Sequence, residues 1–246
     1  MGEKTPVYET VRKNEEYIRK QCEDCADIII RPMRLGDERK VECLVVYLEV
    51  AVSNMMLEDS VIGKLINHFW EIPPGKMKEF LKDNSLGISD VKELPTLEEA
   101  MGAMLAGNAI FFMDGYDRAI KIASKGYPSM GVGQAQTEKV LRGSKEGFTD
   151  SVKINSALIR KRLKDTRMKV VERQMGIRSN TMLQLLYVDD LVQEDLLDEI
   201  QKRLDEFEID GIFDSGMVEQ LTEEVWYSPF PQFQSKTCLD LRLLKL

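Results

Sequence analysis

Tyr187-Val-Asp189-Asp190 sets two adjacent carboxylates behind an aromatic residue, the type of pair that holds divalent cations for phosphoryl transfer. That chemistry needs a hairpin whose second strand follows the aspartates. Here Gln193 to Phe207 has the period of a helix, so the pair reads as a strand end leading into a helix N-terminus, where negative charge is favoured. An Asp-dependent nucleotidyl transferase is kept only as an alternative.

Other chemistry-bearing strings are sparser. Cys22-Glu-Asp-Cys25 has redox or zinc spacing, but no second CxxC or paired histidine follows, and the cysteines read as ordinary thiols. The one histidine, His68, stands beside Phe69 and Trp70 on an expected helix rich in apolar residues and reads as packed or half-exposed, not as a general base. Gly131-Val-Gly133 lacks the rest of a dinucleotide fingerprint, and no P-loop is present. Leu141-Arg-Gly-Ser-Lys-Glu-Gly-Phe148 is more distinctive. Arg142, Gly143, Ser144 and Lys145 stand at an expected helix start, where free N–H groups suit a phosphate or carboxylate. The favoured reading is that Gly143 and Gly147 only permit a tight chain entry with Ser144 as cap. No catalytic residue, metal site or cofactor is assigned.

Composition narrows the classes further. The chain has 246 residues, 43% hydrophobic and 31% charged, which is ordinary globular usage and room for two domains. A net charge of −8 argues against a general nucleic-acid binder. Against that acidic background, Lys153, Arg160, Lys161, Arg162, Lys164, Arg167, Lys169, Arg173 and Arg178 make one basic segment. Four cysteines are too few for a disulfide framework and fit a reducing compartment. Met1 to Lys20 is charged throughout, unlike a signal peptide, and no apolar run nears the ~20 residues of a membrane span.

The elements that must position these residues follow from pattern. Residues 5–22 read as a helical arm, exposed and polar. Ile28-Ile29-Ile30 and Val41 to Val50 read as neighbouring strands, and Ser60 caps a helix ended by Pro73-Pro74-Gly75. Thr96-Leu-Glu-Glu99 is a capping box opening a helix over Leu97 to Leu105 that ends at Gly107. Ala109 to Met113 reads as a buried strand, with Asp114-Gly115 turning into a return strand over Arg118 to Ala123. A helix is expected over 144–163; Phe148, Val152, Ile159 and Leu163 fall within ~60° of one another, and Lys153, Arg160 and Lys164 make a separate basic flank. Strands over 168–174 and 181–188, a helix over 193–207 and a short helix over 215–221 complete the pattern. The fold class is therefore α/β: two small α/β subdomains of mixed sheets packed with helices, over 1–124 and 138–234, joined by a linker over 125–137.

The string Glu138-Lys-Val-Leu-Arg-Gly-Ser-Lys-Glu-Gly-Phe-Thr-Asp150, then Asn155 to Asp165, Gly176-Ile-Arg-Ser-Asn-Thr181, Glu208-Ile-Asp-Gly211, Asp214-Ser215 and Ser228-Pro-Phe-Pro-Gln232, resembles the A subunits of the GerA family of spore germination proteins. Ser144, where many members have Pro, is similar to the SpoVAF-like branch. The tail over 235–246 departs from the family pattern and reads as a truncated or frame-shifted end.

The resemblance implies a non-catalytic, cytosol-facing domain of a germination receptor at the spore inner membrane. That domain would take part in germinant sensing, signal relay or assembly with B and C subunits, its own membrane domain and a possible homo-oligomer. A stand-alone small-ligand-binding module is the alternative. Lys153, Arg160 and Lys164 would face anionic lipid or an acidic partner, or else form a solvated helix face.

Overall fold

The computed structural model describes residues 4–35, 41–52, 91–124, 126–127, 146–206 and 208–223. The expectations for Ser60 and Pro73-Pro74-Gly75, for His68, for Arg142 to Lys145 and for Cys238 lie outside these residues. The chain divides into two compact units, Met1–Pro128 with Ala157–Thr166, and Ser129–Ser156 with Arg167–Leu246.

In the first unit the described strands are β1 (Ile28–Leu35), β2 (Val41–Leu48), β3 (Val91–Leu94), β4 (Ala109–Met113) and β5 (Ala119–Ile122). They form an antiparallel sheet in the order β1-β2-β4-β5-β3. Side chains alternate across the pleat. Leu44, Val46, Leu48, Ile110 and Phe112 join one cluster, and Cys43, Val45, Phe111 and Met113 join another. β4 is buried along its whole length, as its unbroken apolar run Ala109 to Met113 suggests. Pro32 is tolerated because β1 is the outer strand of this order, where exposed Arg31 and Arg34 also discourage further pairing.

Two helices, α1 (Val11–Gln21) and α2 (Leu97–Leu105), pack on the first face. Thr96 Oγ1 accepts the Glu99 N–H at 3.4 Å, and the Glu99 carboxylate takes Lys4 Nζ at 2.9 Å. The helix stops in a Schellman arrangement: Gly107 N–H donates to Met104 O, Asn108 N–H donates to Ala103 O, and Gly107 has φ +90°. The segment expected as an exposed arm is instead packed, with Val7, Val11 and Ile18 buried. Its start is fixed by the hairpin turn, because Asp114 Oδ1 accepts the Val11 N–H and Gly115 N–H donates to Glu9 O.

A second helix entry uses the same device. Asn14 Oδ1 accepts the Tyr8 N–H at 2.9 Å while its Nδ2 donates to Tyr8 O at 2.7 Å. Asn155 holds Thr149 in the same way, at 2.8 and 2.7 Å. The strings Tyr8-Glu-Thr-Val-Arg-Lys-Asn14 and Thr149-Asp-Ser-Val-Lys-Ile-Asn155 match in kind at most positions. This clamp explains why α3 (Val152–Arg162) begins at 152 and not at 144.

The second unit contains the antiparallel hairpin of β6 (Met168–Met175) and β7 (Thr181–Val188), then α4 (Glu194–Asp205) and α5 (Ser215–Thr222). Its small core gathers Met175, Leu204 and Ile212 with Leu183, Ile200, Ile209 and Val218. Leu196, on the apolar stripe of α4, is 49% exposed.

Residues 157–166 are tied into the first unit by a charge pair. Arg160 and Asp27 are both fully buried, with Nε to Oδ2 at 2.8 Å and Nη2 to Oδ1 at 3.0 Å. Arg160 Nη1 donates to Asp165 O, and the Cys25 thiol donates to Thr166 O at 3.5 Å. Burial alone would lower the Arg160 pKa; the bonds and charge of Asp27 outweigh it and hold the guanidinium above its ordinary value. Removing one partner strands the other charge. Asp27→Ala is therefore expected to cost about 3–5 kcal/mol in guanidinium unfolding, with much of that recovered in the double variant Asp27→Leu, Arg160→Met. A cost of Asp27→Ala within ~0.5 kcal/mol, the range of surface changes, would show that the pair contributes nothing to stability.

Candidate functional site

The basic flank expected on α3 does not survive as one surface. Lys164 is exposed and Lys153 half-buried, but Arg160 is fully buried against Asp27. Spacing places the three together on the helix; only the distant carboxylate decides that one turns inward.

Asp189 and Asp190 follow β7 as an exposed turn ahead of α4. Asp189 N–H donates to Arg167 O at 2.8 Å, and the Asp190 carboxylate pairs with Arg167. The element after them is the expected helix, not the strand that a cation-binding hairpin requires. Among the described residues no group of three or more His, Cys, Asp or Glu side chains is placed to hold a metal.

What the fold does bring together is a pair of strings far apart in sequence. The β6–β7 turn, Gly176 to Thr181, lies against the segment Glu208 to Asp214 in the second unit. Ile177 N–H donates to Ile209 O, and the Arg178 and Ser179 N–H groups both donate to Asp210 O, at 2.8–3.2 Å. Ser179 Oγ accepts the Ile212 N–H at 3.1 Å, and the Thr181 hydroxyl donates to Ile212 O at 2.6 Å. Gly176 has φ +84°, and a Cβ there would meet Ser179 Oγ at 2.3 Å and Gly211 Cα at 3.1 Å. Asp214 closes the segment by capping α5 through the Met217 N–H.

The result is a tightly bonded knuckle whose turn N–H groups are held within the unit, with two apolar side chains turned out. Ile177 is 70% exposed and Phe213 83%. Beside Phe213 a shallow depression of about 440 Å³ is lined by Arg178, Ser179, Asp210, Gly211 and Phe213. Arg178 and Asp210 face each other across 3.6 Å in solvent, an arrangement that adds little stability. Both strings were visible in the sequence. Their meeting, and the exposure of Ile177 and Phe213, were not, because neither follows from local periodicity.

The family model described as "Bacillus/Clostridium GerA spore germination protein" matches residues 16–241. The chain belongs to the GerA family. It is similar to the uncharacterized membrane protein YfkQ of Bacillus subtilis, 30% identical over 93% of this chain and 44% of that protein. It is also similar to spore germination protein KA of B. subtilis, 28% identical over 90% of this chain and 41% of the relative. Stage V sporulation protein AF of B. subtilis matches at 28% over 93% of the chain and 46% of the relative. The GerA-family chain thus spans less than half the length of these relatives. In fold it resembles the N-terminal domain of the A subunit of the Bacillus megaterium spore germinant receptor GerK3. That likeness has a TM-score of 0.69 at 22% identity, over 94% of this chain and 84% of that one. Helices packed with antiparallel sheets are thus the architecture of this domain type.

Rigidity of the knuckle is testable at its closest contact. Gly176→Ala combines a left-handed backbone with displacement of the Ser179 hydroxyl, and is expected to destabilise the protein by about 2–3 kcal/mol. Gly115→Ala, at φ +77° but with open space around it, should cost only about 1 kcal/mol. Urea midpoints compare the two, and equal shifts would show that the Ser179 contact adds nothing.

Proposed function

We propose that this domain is a non-catalytic docking and relay module of a germination receptor-type membrane protein. It faces the cytosol at the spore inner membrane and joins its own membrane region to B- and C-type subunits. The observation that supports the reading is the knuckle: family-like strings spend their hydrogen bonds on fixing a backbone that presents Ile177 and Phe213 to solvent. Aromatic and aliphatic side chains on a rigid support suit protein recognition, where a few such anchors supply most of the binding energy. Lys164 is available to an acidic neighbour or anionic headgroups, and Arg142 to Lys145 stand as the companion anion site read from the sequence. Names given to the relatives agree with this role, since they are germination, sporulation and membrane proteins.

A small-ligand module is the second reading, favoured by the depression lined by residues Arg178, Asp210 and Phe213. Thermal-shift screening with amino acids, sugars and nucleotides separates the two, because a saturable rise in Tm for one solute supports the ligand module.

For docking, the expected outcome concerns surface and not stability. Ile177→Ser with Phe213→Ser leaves unfolding within ~0.5 kcal/mol of the parent, as exposed positions do. In the full-length protein it weakens co-purification with the other receptor subunits and slows germination of spores carrying it. Unchanged co-purification and germination would remove this surface from the reading.

A further inference from the structure

Cys22 and Cys25 close α1 and enter β1 through a tight turn. Cys25 N–H donates to Cys22 O at 3.1 Å, and Asp24 between them has φ +56°. An i to i+3 bond of this kind keeps the two Cα atoms within about 7 Å, and a disulfide needs about 4.4–6.8 Å. Both side chains are buried in the same apolar cluster, and no disulfide joins them in this structure. Cys25 is also one of the groups holding residues 157–166, through its bond to Thr166 O and its contact with the Arg160 guanidinium.

We propose that Cys22 and Cys25 are a redox-active dithiol whose oxidation to an intra-turn disulfide loosens the attachment of residues 157–166 to the first unit. The oxidant is a low-molecular-weight disulfide. One cysteine thiolate attacks a sulfur of that molecule, forming a mixed disulfide and expelling a small thiolate. The second cysteine thiolate attacks the cysteine sulfur of the mixed disulfide, forming the Cys22–Cys25 bond and releasing the second small thiol. The two protein thiols lose two protons and two electrons, and the oxidant is reduced to two thiols. With its S–H gone, Cys25 no longer donates to Thr166 O, and the segment loses one of its ties while the buried pair of Arg160 and Asp27 and the packing of Ala157 and Leu158 remain. Cys43 does not compete, because burial, reinforced by the Asp114 carboxylate, pushes its thiol up to about 12.

The test uses the folded 246-residue chain, equilibrated with oxidised glutathione over a range of glutathione ratios, then alkylated and digested with trypsin. Residues 21–34 form one tryptic peptide that carries both cysteines and neither Cys43 nor Cys238. The expected result is that this peptide escapes alkylation after oxidation and regains two alkyl groups after reduction. With Cys22→Ser, Cys25 should be found either alkylated or carrying one glutathione, and the unmodified mass of an internally bridged peptide should no longer form. Hydrogen exchange over 157–166 should rise by about two- to tenfold on oxidation, the worth of one hydrogen bond, and Cys25→Ala should reproduce the rise without oxidant. The proposal is overturned if both thiols stay alkylatable in the folded chain, if the bond forms only in denaturant, or if exchange over 157–166 is unchanged when the bond is present.

Discussion

A guanidinium and a carboxylate with no access to water, Arg160 and Asp27, impose a condition that the first unit must satisfy as a whole. Each charge alone would carry a desolvation penalty of several kcal/mol, and their attraction offsets it only when the geometry is good. Both Asp27 oxygens meet the guanidinium, and the Asp27 main chain is in turn fixed by the Glu49 N–H. The remaining guanidinium nitrogen finds Asp165 O. A segment 133 positions away in sequence is therefore part of the cooperative structure, since it cannot leave without abandoning a buried carboxylate. Burial also pushes the Tyr127 hydroxyl up to about 12, against the lowering effect of the nearby Arg160 charge. That hydroxyl remains a proton donor to Leu105 O and extends the same dry region to the end of α2.

This pair also marks where sequence reading gives out. Signals that act over a few residues were legible: the Thr96 cap and Gly107 stop delimit α2, Asp114-Gly115 turns between β4 and β5, and the strands expected on either side of Gly176 to Asn180 pair in register. Each depends on bonds between near neighbours. By contrast, Arg160 belongs by periodicity to a basic flank, and nothing within a helical turn of it announces Asp27. The polar helix α1 reads as an exposed arm for the same reason, since its partners, Asp114 and the sheet, come much later in the chain. The start of α3 was legible after all, through the likeness of residues 149–155 to residues 8–14. That signal appears only when two helix entries are compared with each other and not with a general capping rule.

The candidate site divides along the same line. The turn Gly176 to Thr181 and the string Glu208 to Asp214 stood out separately as family-like, while the Asp189-Asp190 pair stood out as chemistry. In three dimensions the aspartates are engaged locally with Arg167, and the two strings fuse into a single surface. Residue types with familiar reactivity were thus the weaker guide. Glycines were the stronger one, because Gly176 adopts a left-handed backbone where a Cβ would collide with the Ser179 hydroxyl and crowd Gly211 Cα.

How such a knuckle could work follows from its size and from what its backbone has already spent. With the N–H groups of Ile177, Arg178, Ser179 and Asn180 bonded within the unit, a partner on the proposed reading gains chiefly from covering Ile177 and Phe213 and from meeting Arg178 and Asp210, which neutralise each other. Two apolar side chains and one exposed ion pair fall well short of the roughly 1,000 Å² that a lasting interface buries. Contact of this size is weak between free molecules. Between domains held side by side by membrane anchors, however, the local concentration reaches the millimolar range for short tethers, enough for a weak contact to be occupied. A weak contact on a rigid support also releases quickly, and a relay requires that property more than it requires affinity.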